Sequence, residues 1–88
     1  MSYDETKRQT NLDKHGIDLA LCEPIFDAPM LTREDGRMAY GEQRLQSLGW
    51  LNGRVVVMVW VDRATGVHFI SCREGEKHET QRYFQAFF

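Results

Sequence analysis

Apolar positions concentrate between Arg54 and Arg73. Val55, Val57, Val59 and Val61 alternate with Val56, Met58 and Trp60, and a second run, Val67-His68-Phe69-Ile70-Ser71-Cys72, follows Asp62-Arg63-Ala64-Thr65-Gly66. Successive side chains of a strand point to opposite faces, so both faces of the first run are apolar. Such a strand is predicted at the centre of a sheet covered on both sides, paired through the Gly66 turn with the second run. Upstream, Gln43 to Trp50 is predicted as a strand, because the Asn52-Gly53 pair that precedes Arg54 is a strong two-residue hairpin signal. The three strands then form a meander.

The flanking segments supply the covers. Met1 to Tyr3 reads as a short edge strand. Asp4 caps a helix predicted over Glu5 to Lys14, with Gly16 ending it and only Thr10 and Leu12 suited to packing. Asp18 can cap a second short helix with Leu19, Cys22, Ile25 and Phe26 on one face, kinked or restarted at Pro24 because proline lacks the helical N–H donor. Asp27-Ala28-Pro29 stops it. Met30 to Arg33 is predicted as a strand, Glu34 to Arg37 as a turn and Arg37 to Glu42 as loop. Past Gly75 a helix is predicted over Glu76 to Phe87, with Tyr83, Phe84, Phe87 and Phe88 sharing a face. The fold class expected is α+β: an antiparallel meander with two N-terminal helices and one C-terminal helix.

At 88 residues the chain reads as one small domain, residues 1–88. Eleven Lys and Arg against thirteen Asp and Glu give a net charge of −2, so a polyanion could be drawn only by a local cluster of cations. Cys22 and Cys72 are too few and too far apart for a disulfide framework and read as reduced thiols of a cytoplasmic protein. No apolar run approaches the roughly 20 residues that span a bilayer, so no membrane partner is expected. No Cys-x-x-Cys or His-x-x-x-His pair suggests a metal site, and no cofactor is expected.

Several motifs together resemble a known family: Asp4-Glu-Thr-Lys7, Asn11-Leu-Asp-Lys14-His15-Gly16-Ile-Asp18, Phe26-Asp27-Ala-Pro29, Arg37-Met-Ala-Tyr40-Gly41-Glu42-Gln-Arg44, Gly53-Arg54 and Ile70-Ser71-Cys-Arg73, with Glu79 and Tyr83 beyond. They look like the BrnT-type toxins, and the Lys-His-Gly-Ile-Asp and Tyr-Gly-Glu-x-Arg elements are the specific parts. The resemblance implies a RelE-like fold and a toxin of a bacterial type II toxin-antitoxin pair, acting as a metal-independent endoribonuclease that inhibits growth. It also implies a BrnA-like ribbon-helix-helix antitoxin, an RNA substrate, operator DNA reached only through the antitoxin complex, and a higher-order toxin-antitoxin oligomer. The chain departs from the family pattern at His68, where the family commonly has Arg, and in the acidic run Glu74 to Glu79.

Metal-free RNA cleavage needs a base for the 2′-hydroxyl, a cation for the charge on the phosphate and an acid for the leaving oxygen. Under the resemblance, Arg44 and Arg73 on neighbouring strands form the phosphate clamp, and Lys14 and His15 transfer protons and position the phosphate. Glu42 and Glu79 support the arginines. The same residues also read as ion pairs of Arg44 and Arg73 with Glu42 or Glu79, and as cations favoured at a helix C-terminus. His68 is expected on the face opposite Arg73, and His78 and Lys77 on a solvated helix face. Tyr83, Phe84, Phe87 and Phe88 are either core or a partner-binding surface. The alternative function is a catalytically silent module that acts only through its antitoxin.

Overall fold

The computed structural model describes residues 1–36 and 41–88, so the Arg37 to Tyr40 part of the predicted loop and of its motif lies outside the described residues. The elements are β1 (Ser2–Tyr3), α1 (Glu5–His15), two 3₁₀ turns (Leu19–Leu21 and Glu23–Asp27), β2 (Leu31–Glu34), β3 (Leu45–Leu51), β4 (Arg54–Arg63), β5 (Gly66–Glu74) and α2 (Lys77–Phe87). They build a five-stranded sheet in the order β1-β5-β4-β3-β2, with β4 in the middle as its two apolar faces require.

Strands β2 to β5 form the antiparallel meander, but β1 pairs in parallel with β5, through Ser2 opposite His68 and Tyr3 opposite Phe69, so the sheet is mixed. Asn52 and Gly53 both take positive φ, 51° and 80°, the backbone that a two-residue turn needs to match strand twist. Val56, Met58 and Trp60 pack with Ile17, Leu19, Cys22 and Ile25 of the connector beneath the sheet. On the other face Val55, Val57 and Leu48 pack with Tyr83 of α2. The predicted second helix is instead the pair of 3₁₀ turns. Asp18 caps the first, accepting from Ala20 N–H, and Pro24 sits in the opening turn of the second, where its missing donor costs nothing.

Helix α1 follows its caps: Asp4 accepts from Lys7 N–H, and Gly16 ends the helix in the left-handed region. Its buried residue is Asn11, not the expected Thr10 or Leu12. The Asn11 amide donates to the carbonyls of Cys72 and Ile17, at 2.9 and 2.8 Å, and accepts from Cys72 N–H at 2.9 Å. One side chain thus satisfies the outward polar groups of β5 that a neighbouring strand would otherwise pair.

Candidate functional site

Register decides which side chains share the face on which α2 lies. Directly opposite residues point the same way, so Arg73, Val57, Leu48 and Leu31 form one row across the sheet. The next row is Ser71, Val59, Gln46 and Arg33. Helix α2 covers the first row through Tyr83. Beyond the helix the face is polar, except for Val59 and Val61 of β4, which are buried between their neighbours.

A bulge in β5 changes the expected parity. Val59 faces Ser71 but Trp60 faces Phe69, so Ile70 is an extra residue without a partner on β4. His68 therefore stands opposite Val61, on the same face as Arg73 and not on the opposite one. Its Nδ1 lies 2.7 Å from Ser2 Oγ. Desolvation lowers its pKa first, and the Arg63 guanidinium lowers it further.

The row at Arg73 is organised by α2. Arg73 Nη1 and Nη2 donate to the two carboxylate oxygens of Glu79, at 2.8 and 3.0 Å. Glu79 also accepts from Glu76 N–H at 2.8 Å, the reciprocal half of a capping box that starts the helix. The Arg73 hydrogen bonds hold the Glu79 carboxyl down at about 2. Beside this pair a cleft of about 130 Å³ is lined by Leu31, Thr32, Arg33, Gln46, Leu48, Glu79 and Arg82. Arg33 is oriented within it by two donations to Gln46 Oε1, at 3.1 and 2.9 Å.

The other predicted site residues are spread around this centre. Lys14 and His15 are exposed at the end of α1 and line a groove along the outer edge of β5 with Lys7, Thr10, Ile70 and Ser71. Arg44 immediately precedes β3, and its carbonyl accepts from Asp35 N–H. Leu45 is opposite Trp60 and Arg73 is opposite Val57, with β4 between the two strands. At ~3.3 Å per residue and ~4.8 Å per strand, the Arg44 and Arg73 backbones are roughly 16 Å apart. They are not on neighbouring strands, because β4 lies between β3 and β5. Glu42 pairs with Arg63, Nη2 to Oε1 at 2.7 Å, and this hydrogen bond lowers its pKa.

Among the aromatics, Tyr83 is buried, and its hydroxyl donates to the Pro29 carbonyl at 2.8 Å, which removes it from any partner surface. Phe87 is half-buried against the same core, whereas Phe84 and Phe88 are exposed and join Trp50 in a surface cluster. Glu76, His78 and Glu79 bring donor atoms within 4.8 Å of one another, but Glu79 is committed to Arg73 and to the helix cap.

The sequence pattern did not single out Arg33, Arg82 or the position of His68. Arg33 and Arg82 are far apart in the chain and look like ordinary surface cations until the fold joins them. No glycine marks the bulge at Ile70. What the arrangement offers is a set of guanidinium groups, Arg33 of β2 and Arg82 of α2 lining one cleft with Arg73 of β5 bound to Glu79 at its side, on a molecule of net charge −2. No curated protein matches the chain. The family described as the ribonuclease toxin BrnT of type II toxin-antitoxin systems matches residues 3–79, nearly the whole chain, and the chain belongs to that family.

Proposed function

We infer that the chain is a growth-inhibiting endoribonuclease with a RelE-like arrangement, working in the cytoplasm without a metal and neutralised by a BrnA-like ribbon-helix-helix antitoxin. The observation that carries this reading is the gathering of Arg33, Arg73 and Arg82 around the cleft beside α2, a local cationic patch on an acidic molecule. Guanidinium groups suit the phosphodiester because they keep their charge and offer paired donors. Arg44, at the far end of the face, binds a different phosphate of the same RNA. Lys14 and His15 approach from the β5 edge beside Ser71 and supply a phosphate contact and the acid for the leaving oxygen. Glu79 fixes Arg73, and Glu42 fixes the Arg63 end of the face. The exposed Phe84 and Phe88, with Phe87 at their margin, serve the antitoxin.

The bidentate hold of Glu79 on Arg73 favours a second reading, in which catalysis is silent and the chain acts only through its antitoxin. Induction of the chain alone in a bacterial host separates the two. Arrest by the parent, lost in the Arg33→Ala/Arg82→Ala variant with an unchanged thermal midpoint, is the outcome expected of a ribonuclease. Normal growth with folded parent protein at comparable levels supports the silent module.

A further inference from the structure

The cleft beside α2 has a volume of about 130 Å³, room for about four waters. That is small for a ligand pocket, and it suits one flat ring. We propose that the cleft takes a single unstacked base of the RNA and reads it as guanine, an assignment that names the substrate of the ribonuclease reading and rests on it. Leu31 and Leu48, paired across β2 and β3, give the cleft an apolar floor, and α2 supplies a wall through Glu79 and Arg82. A base drawn away from its neighbours needs such a surface against its face, and a guanidinium plane can serve as the second. The phosphates on either side of it meet the cations gathered here.

Hydrogen bonding selects the base. Gln46 Oε1 accepts from both Nε and Nη2 of Arg33, at 3.1 and 2.9 Å. Arginine has no acceptor, so this contact fixes which way the Gln46 amide points, and its two Nε2 hydrogens are left for a ligand. Arg82 likewise brings donors only. The side-chain acceptors of the cleft are already engaged: Glu79 takes two hydrogen bonds from Arg73 and one from Glu76 N–H, and the Thr32 hydroxyl is bound to Ser47.

A wall of donors matches a base edge made of acceptors alone. Guanine has one in N7 and O6, the pair that arginine commonly reads. Adenine places its N6 amino group beside N7, so in this cleft a donor would face donors. Gln46 is therefore the residue that sets the preference, while Arg33 holds it in position.

The test measures binding of 2′-O-methyl oligonucleotides, whose 2′-oxygen cannot attack, by fluorescence anisotropy. They are adenine throughout except for a central guanine, 7-deazaguanine or cytosine, with an all-adenine control. The parent should bind the guanine oligonucleotide about 5- to 150-fold more tightly than the control, with 7-deazaguanine, which lacks the N7 acceptor, between them. Gln46→Glu keeps an oxygen for Arg33 and turns the donor into an acceptor, so it should shift the preference towards adenine at an unchanged thermal midpoint. Gln46→Leu, which has no amide, should bind both alike. Equal binding of all the oligonucleotides by the parent, or a guanine preference that survives in both folded variants, overturns the base pocket. So does a parent that binds none of them, which leaves the cleft to a protein side chain. Cleavage of a mixed-sequence RNA decides the ribonuclease reading separately. Cuts at a fixed spacing from guanines support both, and cuts made without regard to guanine overturn the pocket alone. Uncut RNA with the guanine preference intact keeps the pocket and overturns the ribonuclease.

Discussion

The ion pair between Arg73 and Glu79 should make stability depend on pH in acid. Glu79 has a side-chain exposure of 13% and its pKa falls from 4.5 to about 2, chiefly because Arg73 binds both carboxylate oxygens. At about 1.4 kcal/mol per pKa unit, that drop corresponds to about 3 kcal/mol before solvent screening. Arg73 is 37% exposed, and solvent screening reduces the usable part to about 1–2 kcal/mol. The folded-state pKa lies below the unfolded one. The contribution is therefore complete above about pH 5 and is lost as the pH falls towards 2. Glu79→Gln removes the charge but keeps an oxygen to accept the Glu76 N–H, so it isolates the ion pair from the cap. At neutral pH its thermal midpoint should lie about 5–10 °C below the parent's, and the two midpoints should converge in strong acid. Midpoints that run parallel from neutral pH to pH 2, measured by circular dichroism, would refute the reasoning. The same geometry bears on Arg73→Ala, which leaves a largely buried carboxylate without its bound cation. Any loss of toxicity in that variant has to be weighed against its own loss of stability.

Two other changes probe the scaffold. Asn11→Ala strips three hydrogen bonds from Cys72 and Ile17 and leaves their polar groups facing a void, which should cost about 2–4 kcal/mol in urea unfolding and speed hydrogen exchange at Cys72 N–H. At Gly49 an added Cβ would meet Ile25 Cγ1 at 2.5 Å, so Gly49→Ala should destabilise by about 1–3 kcal/mol, and pairing it with Ile25→Val should restore part of that loss.

What the sequence determined by itself was set by local rules. Alternation through Val55 to Val61 made β4 the central strand because no wet edge can carry two apolar faces. Asn52-Gly53 made the hairpin because its turn needs positive φ at both residues. Asp4 and Gly16 bounded α1 through cap chemistry that acts within a few residues. Tertiary structure decided the rest. Asn11 is buried because β5 needs a partner for Cys72, a demand invisible from α1 itself. Alternation alone puts His68 opposite Arg73, and a one-residue bulge reverses this, since every residue beyond it changes face. Arg33, Arg73 and Arg82 become neighbours only when β2, β5 and α2 are brought together, and the cationic cleft on this acidic chain is a property of that long-range register.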